Sequence, residues 1–559
     1  MGATHLSRDK TKCSLLNPVS SVDDKKNTTH QIRTTSRLIL NTLMSCGKKS
    51  FRHVADLVNR SKSSVHRHQQ ARARRNQHPE SALWETEAGE AWLKLLVIAV
   101  LYSFGMDRNV GADKLSQFFK LIRIDTHVAI SPSALHRQMS QIESLLPLFQ
   151  QGCENEVSGQ SHTAVVAMDE TFFNGLIILV LIDLSSGYLI LEDISDDRCF
   201  DTWFKKAQPR LEALGIDVNH AVSDRAKALI KLAVTGFDCP SGADLFHAQR
   251  DMSKWLGARL GRQHAQAKTQ QDSAEALLQK KPDNPLADLV QLVDAETAYQ
   301  KIDKSRTDYH ENLAGIADEV HPFSLQTDQP KRAEQVIAGL EQRAQAFADI
   351  ARVQAITDSK QTLTKFRNQF TGLAANVESW WLWVMEIQLE LSVDEATQYW
   401  LTHTLLPTVY WHQQRHKTQN PKQREKYHQA WQRAVQRFYH DTFTASLPDN
   451  ELERWLEWAE WMARQFHRSS SAVEGRNGYL SQMYHNGRGL TKKRLRALTV
   501  IHNYGLKRID GTTAAMRLFG REFPDLFSWL VAEMGDLPLP RKGRVRVIHK
   551  SLFLNIVPA

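Results

Sequence analysis

Three carboxylates stand where chemistry explains them better than solubility does. Asp169 follows the apolar run AVVAM, Asp224 follows HAVS ahead of a helix, and Glu474 lies in HRSSSAVEGRNGYL. A carboxylate projecting from a buried apolar strand is costly unless it is paired or binds a cation. Two such aspartates and a glutamate would supply oxygen donors for two hard cations, because Mg²⁺ takes oxygen ligands in near-octahedral geometry and keeps several waters. The chain has 62 acidic residues, so the spacings of 55 and 250 residues select nothing by themselves. Context selects. Glu170 is the alternative to Asp169, but strand alternation puts the two on opposite faces, which favours Asp169. For Asp224 the alternative is capping of the helix that opens at Arg225.

The elements around these residues follow from periodicity. TAVVAMDE, LIILVLIDL and GYLILEDI read as three strands joined by turns at Asn174-Gly175 and Ser185-Ser186-Gly187, an antiparallel meander. A helix pattern runs from about Phe200 to Leu214, then the strand HAVS and a helix from Arg225 to about Val234. Another strand is expected near Ala243 to Phe246, and a helix from His247. That order of strands and helices is the order of a ribonuclease-H-like fold. Asp169 and Asp224 then sit at the carboxyl ends or edges of neighbouring strands, where α/β sheets present ligands. Ser469 to Ser471 can cap a helix that carries Glu474 and Asn477 one turn apart on one face.

Between about 260 and 460 the pattern is helical, with breaks expected near Lys281-Pro282, Pro322, Pro330 and Asn420-Pro421. Nine of the 14 tryptophans fall between Trp380 and Trp461. At helical spacing such a cluster is core, with stacking on an unpaired base as the other use.

Charge is concentrated at both ends. Residues 1–78 hold 16 Lys/Arg against 4 Asp/Glu, and residues 464–559 hold 17 against 6, leaving an acidic middle within a net charge of +9. Clustered cations gain affinity for a polyanion by releasing its counterions, so nucleic acid is the expected partner. SFRHVADLVNRSKSSVHRHQQARARR, from Ser50 to Arg75, reads as helix-turn-helix: Phe51, Val54, Ala55 and Val58 form an apolar face, and Ser61 to Ser64 form the turn. The second helix carries Arg67, Arg72, Arg74 and Arg75, suited to DNA in the major groove and its phosphates. An ordinary basic hairpin is the other reading. A weaker candidate lies at Leu115 to Ile142, with His136, Arg137 and Gln138. Downstream of Glu474, Lys492, Lys493, Arg494 and Arg496 could clamp a backbone or form a solvated face.

Composition narrows the class. Hydrophobic residues make up 42% and charged ones 24%, with Gly plus Pro only 43 of 559, which excludes disorder or low complexity as a global description. The longest apolar runs, near 92–101 and 176–184, fall short of the roughly 18 residues of a membrane span. The start MGATHLSRDKTKCS lacks the apolar core of a signal peptide. Five cysteines, Cys13, Cys46, Cys153, Cys199 and Cys239, are odd in number and never two residues apart, so neither a disulfide framework nor a zinc ribbon is indicated. A cytoplasmic, nucleoid-associated protein with no membrane is expected.

VSDRAKALIKLA, Asp244-Leu245-Phe246-His247 with Arg250 and Asp251, and SSSAVEGRN together carry a resemblance. The chain resembles the DDE transposases of bacterial insertion sequences that hold a helical domain between the second Asp and the Glu, as in mutator-like and hAT-like groups. The matching motifs cover residues 160–260 and 465–510. Ser471 stands where many relatives have Asn, and the Tyr-Arg-Glu-Lys pattern of another group is absent, with Ser481 seven residues beyond the Glu.

The resemblance implies an α/β fold: a ribonuclease-H-like catalytic core interrupted by an all-helical insertion and preceded by a helical DNA-binding region. The expected boundaries are a flexible basic arm at 1–30, the DNA-binding region at 31–155 and the first part of the core at 156–260. The insertion follows at 261–462, the Glu-bearing helix at 463–510 and a tail at 511–559. It implies cleavage and joining of DNA at element ends by two-metal phosphoryl transfer, with Asp169, Asp224 and Glu474 as catalytic and metal-binding residues. The cofactor is Mg²⁺, two ions, with Mn²⁺ able to substitute. Asp244, His247 and Asn477 take supporting roles, although Asp244 can equally be a turn residue and His247 a core histidine. Arg476 and Asn477 could touch phosphate or only stabilise their helix. Partners are double-stranded DNA, both terminal repeats and target, and further copies of the chain in a dimer or larger synaptic assembly. The competing readings are a non-catalytic DNA-binding regulator derived from a transposase and a ribonuclease-H-like nuclease.

Overall fold

The computed structural model describes residues 23–47, 50–280, 285–357 and 359–540. The chain divides into two compact units, residues 1–145 with 527–559, and residues 146–526.

The second unit holds the sheet. Five strands, β1 (His162–Phe173), β2 (Leu176–Asp183), β3 (Leu189–Ser195), β4 (Ile216–Ser223) and β5 (Ser241–Ala243), lie in the order β3-β2-β1-β4-β5. The first three pair antiparallel, as the meander predicts, while β4 joins β1 and β5 joins β4 in parallel. Asn174 and Gly175, both at positive φ, make the tight β1–β2 turn that the Asn-Gly pair favours. Val166, Ala167, Met168, Ile178, Leu179, Val180 and Leu181 are buried, so the centre of the sheet forms the core.

Some expected boundaries are corrected. β1 does not stop at the acidic pair but continues to Phe173, because Glu170 to Phe173 pair with β2 up to the turn. β5 ends at Ala243, because the Asp244 side chain accepts from Phe246 N and caps the helix Leu245–Met252. The Arg225 helix starts later, at Lys227, since Arg225 itself is left-handed, with φ 64°.

From Ala258 to Arg464 the elements are helices, with one isolated bridge between Phe323 and Pro330. Asn420 caps a helix that starts at Pro421, as expected; residues 281–284, which include Lys281-Pro282, lie outside the described residues. Trp380, Trp381, Trp400 and Trp411 are buried in a core with Phe323 and Tyr410, which favours the packing role for the cluster. The helix Phe370–Glu390 approaches the sheet through small residues. A Cβ on Gly372 would fall 2.1 Å from Arg225 Nη1, and one on Gly242 2.0 Å from Asn376 Oδ1. Asn376 locks this contact by donating to Ala243 O at 2.9 Å and pairing with His220 Nε2 at 2.8 Å.

The first unit is helical. Asp23–Ser45 is a helix, which shortens the expected arm; residues 1–22 lie outside the described residues. Phe51–Leu57 and Lys62–Arg75 follow, capped by Ser50 and Ser61, and close a small core of Ile39, Val54, Ala55, Val58 and Val65. One stretch, Glu87–Asp107, is long and apolar enough to cross a membrane by length and composition, longer than the run read from sequence. Within the unit it buries Leu93, Val97, Ile98 and Leu101, and its Glu90 pairs with Arg33 and Arg37. The expected tail is folded from its start: Ala514–Phe519 is helical, and Pro538 O accepts from Ala129 N at 2.7 Å within the first unit. Residues 541–559 lie outside the described residues. Cys46, Cys153, Cys199 and Cys239 are free thiols.

Candidate functional site

The site forms where parallel pairing stops. The last residues that β1 and β4 pair with each other are Ala167 and Val222, and each aspartate lies two positions further along the chain, Asp169 still within β1 and Asp224 just past the end of β4. Asp169 is inside β1, a correction to its place at a strand end, but β4 has ended beside it and leaves that flank open. Asp224 accepts from Ala226 N at 2.8 Å in a local turn; the following helix starts at Lys227, with Ala226 at its cap and no side-chain cap hydrogen bond, so Asp224 does not cap it.

Cross-strand partners share a face, and Asp169, Val180 and Glu192 form one row across β1, β2 and β3. The helix Ser471–Met483 lies over that row. Its Asn477 donates from Nδ2 to Asp169 Oδ2 at 2.8 Å. Its Arg476 makes a bidentate pair with Glu192, both contacts 2.7 Å, with both side chains buried. Thr499 Oγ1 also donates to Glu192, at 2.7 Å. Arg476 therefore anchors the helix and is taken from the candidates for phosphate contact. Glu474, one turn before Asn477, is brought to the same opening, a third exposed. Glu170 points the other way, accepting from Trp203 Nε1 at 3.2 Å, in agreement with strand alternation.

Asp244 is a buried junction and more than a turn residue. Its backbone N–H donates to Ser223 O at 2.8 Å, beside Asp224. Its carboxylate accepts from Phe246 N, Ser470 N and Ser470 Oγ, and meets His247 Nδ1 at 2.6 Å. Burial works to raise its pKa, but these hydrogen bonds, His247 and Ser470 foremost, hold it below the usual carboxylate range. The ionised carboxylate makes Nδ1 the protonated nitrogen of His247, and Nε2 then faces Glu474 Oε1 at 3.8 Å. The hydrogen bond to Asp244 raises the His247 pKa. Of Ser469 to Ser471, the expected capping segment, Ser470 is the cap residue but gives its hydroxyl to Asp244, and its carbonyl accepts from Val473 N at 2.8 Å and Glu474 N at 3.1 Å.

Burial pushes the Asp169 carboxyl up to about 6; a backbone hydrogen bond and His247 oppose this, while the charges of Glu474 and Asp224 add to it. Asp169 thus senses both of the other acids. Among the described residues no group of three or more His, Cys, Asp or Glu is close enough to hold a metal ion as it stands. The donor chemistry nevertheless suits a hard cation: three carboxylates border one opening, and Asn477 Oδ1 is a buried oxygen without a hydrogen bond. Asp169, Asp224 and Glu474 would hold it.

Residues 401–546 match a family of unknown function, DUF6399. The matched stretch contains Glu474, Asn477 and the basic helix after them, and neither aspartate. No curated protein matches the chain.

The basic candidates divide. Arg67 and Arg74 are exposed on Lys62–Arg75, and Arg72 lies beside Met44 Sδ at 3.9 Å. Arg75 is committed to Glu85 through contacts of 2.8 and 3.0 Å, which withdraws it from phosphate. In the weaker second motif, Gln138 is buried. On Lys492–Val500, Lys493 and Arg496 are exposed and Lys492 Nζ lies 3.5 Å from Asp193. Arg494 is buried, so it is structural and not part of a clamp. Sequence reasoning missed Glu192, whose only signal was an acid in an apolar strand, and the bond from Ser470 to Asp244.

Proposed function

We propose that the chain is a DDE transposase that cuts and joins DNA at the ends of an insertion sequence by divalent-metal-dependent phosphoryl transfer. The observation that carries this is the Asn477–Asp169 hydrogen bond, which brings the Glu474 helix to the two aspartates across the helical insertion. The sheet order, with an antiparallel meander beside two parallel strands, supports a ribonuclease-H-like reading of the core. The capped pair of helices bearing exposed Arg67 and Arg74 supports binding of double-stranded DNA.

When bound between the acids, Mg²⁺ would activate the attacking oxygen and stabilise the departing one. Asp169 and Asp224 provide fixed oxygens from the sheet, and Glu474 closes the opening from its helix. Asn477 fixes the Asp169 rotamer. Asp244 holds the His247 ring by Nδ1 and the start of the Glu474 helix by Ser470, so one buried carboxylate keeps the two sides of the opening in register. Cleavage uses water as nucleophile and joining uses the freed 3′-hydroxyl, without a covalent protein intermediate. Two ends must be held together, which favours a dimer or larger assembly, acting on DNA in the cytoplasm.

The test is incubation with Mg²⁺ and DNA that carries the sequences flanking the gene. Nicks and joined products are expected from the wild type and none from Asp169→Ala. Absence of wild-type cleavage, or undiminished cleavage by the variant, contradicts the proposal.

A further inference from the structure

A cavity of about 570 Å³ lies apart from the carboxylates, within the roughly 300–1,000 Å³ common for small-ligand sites. It is bordered by the first residues of β1, the turn after β2, the helix Phe370–Glu390 and the segment 508–518. Val165 lines it, and Asp169 is four residues further along β1, so the two share a face of the sheet about 13 Å apart.

Part of the wall is cationic. A Cβ on Gly187 would lie 3.6 Å from Arg508 Nη2 and 3.9 Å from Arg517 Nη2, so two guanidinium groups converge above one turn. Arg517 is held by Ser186 O and by Thr512 O and Oγ1, each at 2.9 Å. No hydrogen bond or ion pair among the described residues engages the guanidinium of Arg508. Burial, and next the charge of Arg508, draw the Arg517 pKa down to about 10. The charges of Asp510 and Asp183 oppose this lowering; Asp183 accepts from Ser186 N and Oγ, and Asp510 from Thr512 N and Oγ1. Two adjacent guanidinium groups, of which that of Arg508 has no hydrogen bond or ion pair of its own among the described residues, favour an anion with several oxygens.

Another part of the wall is aromatic. Trp383 and Trp461 have ring centroids 5.0 Å apart at 59°, and Trp461 is 43% exposed although most of the tryptophan cluster is buried. An exposed indole beside a cavity is a platform for a planar ring.

We propose that this cavity binds one nucleotide unit, its base against Trp383 and Trp461 and its phosphate against Arg508 and Arg517. A free mononucleotide and one nucleotide of a DNA strand offer the same chemistry. The strand source rests on the proposed function; the free nucleotide does not.

Calorimetry on the full chain with dAMP, deoxyadenosine, inorganic phosphate and a single-stranded oligonucleotide of about 12 nucleotides tests this. dAMP should bind about tenfold or more tightly than deoxyadenosine or phosphate, and Arg508→Gln and Trp461→Ala should each weaken it about tenfold. Both side chains are exposed, and circular dichroism checks that the variants remain folded. An oligonucleotide much tighter than dAMP assigns the site to a strand, and equal affinities assign it to a free nucleotide. Asp169→Ala should abolish cleavage and keep dAMP binding, so the two proposals fail separately. No binding of either nucleotide ligand, or binding unchanged in both variants, overturns the assignment.

Discussion

Asn477 Nδ2 and Asp169 Oδ2 meet at 2.8 Å although 308 residues separate them in the chain. That contact, with Arg476 on Glu192 one residue earlier, fixes the Glu474 helix over the sheet. The opening at the end of β4 is therefore completed by a segment that follows the whole helical insertion.

The Arg476–Glu192 pair is buried and bidentate, so removing one partner strands a charge. Arg476→Met should destabilise the second unit by about 3–5 kcal/mol in denaturant unfolding, and adding Glu192→Leu should recover much of the loss. A single-variant loss under about 1 kcal/mol would show that the pair does not anchor the helix.

Asp169 binds its proton more tightly when folded, at about 6 against an ordinary 3.8. Its contribution is thus most favourable below the ordinary value and falls as pH rises through about 6, by about 3 kcal/mol in all. Asp169→Asn, neutral throughout, should be more stable than wild type at pH 8 and lose that advantage near pH 4. Mg²⁺ should narrow the gap at pH 8. An equal gap at both pH values would argue against an ionisation cost.

Asp244→Asn should lower the His247 pKa, read from its ring proton by NMR, because the hydrogen bond to Asp244 is the main cause of its elevation. The raised folded value means that the protonated pair stabilises the wild type below the ordinary histidine range and that this is lost as pH rises through the raised value. The variant should lose that pH dependence, and about 1–3 kcal/mol with the unsatisfied Ser470. An unmoved His247 titration would separate the two residues.

Arg67→Ala and Arg74→Ala should each weaken DNA binding and reduce its salt slope by about one. Arg75→Ala should leave the slope unchanged and lower thermal stability, because its partner is Glu85. Equal slopes for all three variants would remove the Lys62–Arg75 helix from the interface.

Much of the sheet was legible because runs of Val, Ile and Leu are cut by Asn174-Gly175 and Ser185-Ser186-Gly187, whose turn chemistry is local. Asp169 and Asp224 stand out in the sequence because an aspartate after an apolar run is conspicuous, whereas Glu474 stands out only by its place after Ser469 to Ser471. Long-range pairing was not. Arg494 and Arg476 look like surface charges on amphipathic helices, and nothing nearby in the sequence announces that Arg476 is buried on a glutamate 284 residues away. Asp244 read as a strand or turn residue because two of its partners, Ser223 and Ser470, meet it only after folding.

Mn²⁺ binding followed by electron paramagnetic resonance tests most directly whether Glu474 completes the proposed oxygen site begun by Asp169 and Asp224. The wild type should bind Mn²⁺, with affinity falling about tenfold or more in both Asp169→Asn and Glu474→Gln. Affinity unchanged in Glu474→Gln would contradict the account.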